Sequence, residues 1–215
     1  MNSRLRRPSD RIRSELTERV VAESRGTGEG LMSMKAEYVN MKEQSLLIMY
    51  TLIKRAQRIL GLPSSPNILD VGCGDGVARA GLIRSFGNKY IGIDRRRMLE
   101  APEKGILCME LADCPLDWNG KVDLLFCSRV LEESESIEID LLHVFRLLSE
   151  KGLVAHISYY DRGVSSKYPA NRDLSEWVGL YDRLDLVPVS IEFVRLREVE
   201  LHMICVERGR FLSKQ

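Results

Sequence analysis

The chain has 215 residues, of which 44% are hydrophobic and 29% are charged, and its formal net charge is +1. This length and apolar content suit one main domain with an appendage, and the balanced charge excludes a global field that would recruit nucleic acid or a membrane. The five cysteines form no C-x-x-C pair and fall mostly in apolar segments, so we predict free thiols in the cytoplasm or another reducing intracellular compartment, and no metal site.

Residues 1–30 are predicted to form a basic N-terminal arm with a short amphipathic helix and a linker. Five arginines lie between Arg4 and Arg13, and apolar residues recur every four positions from Ile12 to Val20. Three glycines in RGTGEG, residues 25–30, indicate the linker. We interpret the helix as packing on the main domain; a protein or RNA contact through the arm and a targeting role stay open, although its acids argue against a transit peptide. No apolar run reaches the roughly 20 residues of a membrane-spanning helix.

Beyond the linker, helices and strands are predicted to alternate. A helix over residues 34–60 stops at GLPSSP. The predicted strands cover residues 67–71, 90–93, 106–109, 122–127 and 153–158, and the helices cover 77–86, a short piece from Arg96, and 137–148. This alternation is typical of a parallel sheet with helices on both faces. A helix over 173–184 and strands over 187–194 and 198–206 complete the chain, and the short connection between those two strands predicts a hairpin with one antiparallel strand.

The stretch ILDVGCGDGVARA, residues 68–80, places glycines at alternate positions directly after the first predicted strand. In a doubly wound sheet the turn after this strand must let the backbone approach a ligand. A dinucleotide turn wants glycines at its first, third and sixth places. Counting from Gly72, the third place is Gly74, but the sixth is Val77, and the third glycine instead comes at Gly76. The spacing therefore disfavours a pyrophosphate ligand.

With Asp70 two residues before Gly72, the turn reads D-x-G-x-G-x-G, which resembles the first motif of class I S-adenosylmethionine-dependent methyltransferases, similar to the type 11 and type 25 methyltransferase domains. Later segments resemble this family in the same order. KYIGID ends in Asp94, 20 residues after Gly74, and it is followed by ELADCPL, VDLLFCSRVLEE and RLLSEKGLVAHIS. The resemblance implies an α/β fold: a Rossmann-like, doubly wound, seven-stranded sheet, mostly parallel with one antiparallel strand in a C-terminal hairpin, and with an N-terminal helical extension. The domain would span residues 31–210, with its cofactor half at about 67–158.

The resemblance also implies S-adenosyl-L-methionine as the cofactor and assigns residues to its parts. The methionine end would lie against Asp70, Gly72, Cys73 and Gly74, and the ribose against Asp94, with Arg95 beside it. Glu110, Leu111 and Ala112 would lie along the adenine, with Asp113 as an alternative acid, and Cys127 and Ser128 would flank the methyl group. For Cys73 and Cys127 we favour a packing role over thiol chemistry.

No catalytic residue is predicted, because the activated donor requires mainly alignment and exclusion of water. The candidate acceptor-side residues are Ser128, Arg129, Glu132 and Glu133 after the fourth strand, and Tyr159, Tyr160 and Asp161 after the fifth. Among them we favour Arg129, Glu133, Tyr159 and Tyr160 as substrate residues. Relatives often have histidine where Glu133 stands, and the Asn-Pro-Pro-Tyr type motif is missing, which argues against a DNA adenine or glutamine amide acceptor. The three histidines and Trp177 are interpreted as structural.

Two functions follow from the sequence. The first is a methyltransferase acting on an unidentified acceptor, which we expect to be a small molecule. The alternative is a methyltransferase-like binding or scaffold subunit without catalysis, or an RNA or protein methyltransferase. The intact glycine motif and Asp94 favour the first, whereas the basic arm and Arg129 favour the second.

Overall fold

The structure is a computed structural model that describes residues 32–74, 76–87, 89–95, 105–161, 172–196 and 199–208. The predicted basic arm of residues 1–30 and the helical piece from Arg96 lie outside these residues. The helices are α1 (Met32–Leu60), α2 (Arg79–Phe86), α3 (Ile137–Leu147) and α4 (Leu174–Arg183). The strands are β1 (Ile68–Val71), β2 (Tyr90–Asp94), β3 (Ile106–Cys108), β4 (Val122–Ser128), β5 (Leu148–Asp161), β6 (Leu186–Leu196) and β7 (Val199–Arg208). Short 3₁₀ turns cover Leu111–Asp113, Leu116–Trp118 and Leu131–Glu133.

The seven strands form one sheet in the order β3-β2-β1-β4-β5-β7-β6. Neighbouring strands from β3 to β5 are parallel, and β7 pairs antiparallel with both β5 and β6. The predicted fold is confirmed, including the single antiparallel strand in a C-terminal hairpin. The chain order reverses direction across the sheet between β1 and β4, so the carboxyl ends of β1, β2 and β4 form the edge where such folds bind ligands.

Two apolar cores cover the two faces of the sheet. On one face α1 and α2 pack through side chains that include Met49, Ile53 and Leu82. On the other face α3 and α4 pack through Leu141, Val144 and Trp177, among others. Burial on both sides explains why the central strands are almost continuously apolar.

Several element boundaries differ from the predicted ones by a few residues, and contacts in the structure explain two of these differences. The predicted helix over 77–86 begins only at Arg79, because residues 76–78 form a turn in which the Arg79 amide donates to the Gly76 carbonyl over 3.0 Å. Strand β5 begins at Leu148 and not at residue 153. The intervening SEKG segment looks like a turn, but it stays in the strand through a register shift against β4, where a Cβ on Gly152 would stand 2.8 Å from the Val122 carbonyl oxygen.

Candidate functional site

The glycine turn after β1, at the carboxyl edge of the sheet, contains three residues with a left-handed backbone conformation. Gly72, Gly74 and Gly76 have φ values of 65°, 56° and 78°, in the left-handed region that side chains other than glycine disfavour. The amides of Gly72 and Cys73 both donate to the carbonyl of Ile93 in β2, over 2.8 and 3.1 Å. The turn is therefore bonded to the neighbouring strand and curls back towards the sheet edge.

The first two glycines are needed for different reasons. A Cβ on Gly72 would stand 2.1 Å from Cγ2 of Val130, in the turn after β4, so this glycine permits a close approach between two turns. A Cβ on Gly74 would meet nothing within 4 Å. At Gly74 the bare left-handed backbone faces open space, which suits the approach of a ligand rather than of protein. The geometry here fits a cofactor at the turn.

Asp94 ends β2 and fixes the glycine turn through its side chain. Its Oδ2 accepts a hydrogen bond from the Gly74 amide over 2.9 Å. A carboxylate oxygen can accept more than one hydrogen bond, so this contact is compatible with a role towards a ribose. The sequence spacing of 20 residues placed Asp94 at the turn, but it did not indicate that the acid also holds the turn in shape.

Asp70 is buried in β1, and its carboxylate is bonded within the protein. The Tyr90 hydroxyl donates to its Oδ2 over 2.8 Å. The pKa of Asp70 is raised to about 7, chiefly by burial; the Tyr90 hydrogen bond lowers it and the charge of Asp94 adds a smaller rise. The sequence predicted Asp70 at the methionine end of a cofactor; the structure places its side chain on Tyr90.

The sequence did not predict the role of Tyr90, because this role depends on the register between β1 and β2. In the parallel register Asp70 stands opposite Gly92, and Tyr90 is the diagonal neighbour of Asp70 on the same face. A buried tyrosine hydroxyl seeks a partner, and Gly92 leaves the room, since a Cβ there would stand 2.9 Å from that hydroxyl and 2.7 Å from Cys73 Sγ. Burial raises the pKa of the Cys73 thiol to about 12, with Asp70 and Asp94 adding to the shift. This agrees with a packing role for Cys73.

The predicted adenine segment follows β3 at the neighbouring end of the sheet. The Met109 amide donates to the Asp94 carbonyl over 3.1 Å, which ties this segment to the end of β2. Glu110 and Ala112 are exposed, whereas the Leu111 side chain is buried in the core. Asp113, the alternative acid, is exposed as well. The structure thus brings the segment beside Asp94 and leaves two of its three predicted side chains open to solvent.

The end of β4 supplies the opposite wall. Cys127 is fully buried, and burial, followed by the charges of Glu132 and Asp70, raises its pKa well above the usual value, so it is no thiolate nucleophile. Ser128 is half-buried at the last position of the strand. Arg129 has a φ of 57° and its amide donates to the Ile157 carbonyl of β5 over 2.8 Å, which turns the chain sharply after the strand.

Two of the predicted substrate residues lie beside the glycine turn, and two lie further along the edge. Glu133 Oε2 lies 3.1 Å from Nη2 of Arg95, so an ion pair joins the end of β2 to the turn after β4. Arg129 is in that same turn. Tyr159 and Tyr160 are in the part of β5 beyond the end of β4, paired with β7, and the Tyr160 ring stacks on His202 at 6.1 Å between centroids.

Residues 43–195 match the sequence model of a family described as methyltransferase domain, which spans more than half of the chain. The chain belongs to this family. The class I methyltransferase resemblance seen in the sequence is thereby confirmed. No curated protein sequence matches the chain.

Solved structures with the same fold are distant in sequence. The 1,6-didemethyltoxoflavin-N1-methyltransferase of Burkholderia thailandensis, solved with 1,6-didemethyltoxoflavin and S-adenosylhomocysteine, is 14% identical, with a TM-score of 0.61 over 87% of this chain and 94% of that one. A chain in the complex of the Haloferax volcanii Trm112 methyltransferase activator is 15% identical, with a TM-score of 0.56 over 72% and 88% of the two chains. The trans-methyltransferase CalH, solved with S-adenosylhomocysteine, is 13% identical, with a TM-score of 0.55 over 68% and 52%. At these low sequence identities, the structural similarity shows that this chain shares the fold of these proteins.

The part of the chain that the structure describes contains no helix long and apolar enough to cross a membrane. It also contains no group of three or more side chains able to hold a metal ion, within those same residues. All five cysteines are free, and four of them are buried.

Proposed function

We propose that this methyltransferase-family protein uses S-adenosylmethionine and transfers its methyl group to a small-molecule acceptor. The observation that carries the proposal is the hydrogen bond between Asp94 and the Gly74 amide, because it joins the end of β2 to the bare left-handed turn after β1. A turn held in this way presents backbone at Gly74 and a carboxylate at Asp94 on the same side of the sheet edge. These are the two elements that a nucleoside ligand with an amino acid end needs.

The residues of this edge would divide the cofactor between them. Gly72 and Gly74 would border the amino acid end, Asp94 would accept hydrogen bonds from the ribose, and Glu110 and Ala112 would border the adenine. Bound S-adenosylmethionine would supply an activated methyl group on a sulfonium. The protein would bind and orient it and exclude water, and Ser128, at the end of β4, would border the reacting end.

A small molecule is the acceptor class that we favour. The Burkholderia thailandensis neighbour is named for a small-molecule acceptor and was solved with it. On this chain Arg129 and Glu133 lie in the turn that follows Ser128, at the predicted methyl position, and offer charge and hydrogen-bonding groups for a polar acceptor; Tyr160 lies further along the edge. Burial of Cys127 argues against an enzyme-bound methyl-thioether, since its thiol stays protonated.

Calorimetric titration of the full chain with S-adenosylhomocysteine tests the donor part of this proposal. We expect saturable binding with a Kd of about micromolar order, and a loss of affinity of at least about tenfold in Asp94→Ala. Asp117→Ala is the matched control, because it removes an exposed carboxylate from a 3₁₀ turn on the same chain and leaves binding unchanged. The proposal is overturned if the parent protein binds neither S-adenosylhomocysteine nor S-adenosylmethionine.

The acceptor part needs a separate measurement. Release of S-adenosylhomocysteine is followed over a panel of small polar acceptors, total RNA and protein extracts. Turnover with a small molecule supports the proposal. Turnover only with RNA or protein would mean that the acceptor is a macromolecule and not a small molecule. Tight cofactor binding with no turnover on any of these supports the scaffold alternative.

A further inference from the structure

A buried polar network lies behind the turn that follows β4. Glu132, in the 3₁₀ turn Leu131–Glu133, is 2% exposed, and Oε2 of its side chain is 3.9 Å from Nε2 of His156 in β5. His156 Nδ1 is 2.7 Å from the Tyr181 hydroxyl in α4, and both of these side chains are fully buried. A hydrogen bond thus joins α4 to β5, and the Glu132 carboxyl lies within ion-pair distance of the same imidazole ring, at a separation longer than a hydrogen bond.

An aromatic wall encloses the network. The Trp177 ring meets the His156 ring edge to face, with centroids 4.5 Å apart, and stacks on Tyr181 at 6.0 Å. The start of α4 is itself fixed, because Asp173 and Glu176 form a reciprocal capping box. Burial raises the pKa of Tyr181 well above the usual value, so its hydroxyl keeps its proton and can donate to His156 Nδ1. In that arrangement Nε2 carries the ring proton and faces Glu132.

The sequence places Glu132 among the acceptor-side candidates, but its side chain is buried in the core, as are those of His156 and Tyr181. Any role of these three side chains in the reaction must therefore act through another group. The short turn that contains Glu132 also holds the residues that face the glycine turn. Val130 occupies the space that a Cβ on Gly72 would fill, and Glu133 pairs with Arg95. The Glu132 side chain is buried in the core, whereas the side chain of its neighbour Glu133 is partly exposed and pairs with Arg95 at the carboxyl edge. Because the two residues are adjacent in one short turn, fixing Glu132 also restricts the position of Glu133.

Placing a carboxylate in an apolar core is costly, and an apolar side chain of the same size would pack there without that cost. A buried polar cluster is stabilised only when its members keep their partners, so the Tyr181–His156 hydrogen bond and the nearby Glu132 carboxyl favour one arrangement of the turn, β5 and α4. We infer that Glu132, His156 and Tyr181 are positioning residues that hold the 129–133 turn against the glycine turn and thereby set the affinity for the methyl donor. The inference rests on the proposed function, because it concerns the same donor site.

Calorimetry with S-adenosylhomocysteine on Glu132→Gln and Tyr181→Phe tests the inference. Both variants keep the size of the side chain, and each is expected to raise the Kd, by about tenfold for Glu132→Gln and about threefold for Tyr181→Phe. Because both act through His156, the double variant is expected to raise the Kd by less than the product of the single effects.

The control separates positioning from general loss of stability. Val206→Ala removes buried apolar volume from β7 opposite Val154, in the middle of β5, where Val154 also pairs with Leu125 three residues before the end of β4. Each variant is compared with Val206→Ala at a temperature equally far below its own Tm. An unchanged Kd in Val206→Ala with raised values in the network variants supports the inference.

Equal affinity in the parent, Glu132→Gln and Tyr181→Phe overturns the inference and leaves the proposed function standing. An equal loss in Val206→Ala also overturns it, because the effect then follows stability alone. A parent protein that does not bind S-adenosylhomocysteine refutes the proposed function first, and the inference falls with it. If Glu132→Gln does not fold, Tyr181→Phe, which removes a single oxygen, decides the matter.

Discussion

The two halves of the carboxyl edge are built in different ways. Around the glycine turn the backbone makes most of the contacts, because amides of the turn after β1 donate to the carbonyl of Ile93 and to the carboxylate of Asp94. Around the turn after β4 the side chains do it, through Val130, Glu132 and the Arg95–Glu133 pair. Backbone geometry restricts the residue type at each position, whereas side-chain packing allows many solutions.

This difference explains why the sequence is more informative about the donor than about the acceptor. A left-handed turn demands glycine, so its pattern can be read from the sequence of a single chain. The region around the turn after β4 is formed by side chains that come from β4, β5 and α4, and no local sequence pattern indicates that these side chains meet. Loops and strand ends of this kind carry the specificity of enzymes that share a fold.

The largest effect is expected where the two halves touch, at Gly72. Gly72→Ala places a Cβ against Val130 in a left-handed backbone, and we expect it to lower the free energy of unfolding by roughly 3–5 kcal/mol, measured by denaturant titration. Gly61→Ala is the matched control, because Gly61 has the same φ of 65° with nothing within 4 Å, and we expect a cost of only about 1–2 kcal/mol.

The contact itself can be isolated by a second substitution. Adding Val130→Ala to Gly72→Ala removes the side chain that the new Cβ meets, and we expect a favourable coupling of at least about 1 kcal/mol between the two changes. Equal costs at Gly61 and Gly72, or strict additivity of the pair, would show that the two turns do not depend on each other.

A smaller effect is expected from Asp70, on the donor side. Its pKa of about 7 in the folded protein lies above the usual value of 3.8, so the folded state holds its proton more tightly than the unfolded state does. The stabilisation from this group is therefore complete below about pH 4 and is lost as the pH rises to about 7. Asp70→Asn, which mimics the protonated acid, is expected to gain roughly 2–4 kcal/mol over the parent between pH 4 and pH 8.

Thermodynamic stability curves at several pH values measure this difference. Asp117→Asn, at an exposed position, is the control and should follow the parent at every pH. A parallel shift of parent and Asp70→Asn across the range would mean that Asp70 titrates normally in the folded protein.

The sequence predicted nearly all of the fold because each strand is short, apolar and bounded by turn residues. It failed at Ser149 to Gly152, where a turn-like composition stays in β5 because Ser149 bonds to Asp123 Oδ1 over 2.9 Å and Gly152 admits the Val122 carbonyl. It missed the pair of Asp70 and Tyr90, which depends on cross-strand register. Hydrophobic periodicity contains no information about such register or about which polar side chains meet in a core.

The smallest effect is expected for the ion pair that joins the two halves at the surface. Arg95 and Glu133 are both partly solvated, with 52% and 39% of their side chains exposed, so water and salt screen the pair. Arg95→Gln is expected to change the free energy of unfolding by no more than about 0.5 kcal/mol, and less at high salt. Arg183→Gln, which removes the longer 4.0 Å pair with Glu138, is the control. A loss several times larger at Arg95 would mean that the pair is a structural support of the site.

The central claim is that the donor lies on the glycine turn, and amide resonances of the glycines test it most directly. In a heteronuclear correlation spectrum of the full chain titrated with S-adenosylhomocysteine, the account predicts saturable shifts for Gly72 and Gly74, and none for Gly61, Gly120 and Gly179, which lie elsewhere. Shifts confined to the second group, or an unchanged spectrum at saturating ligand, would contradict it.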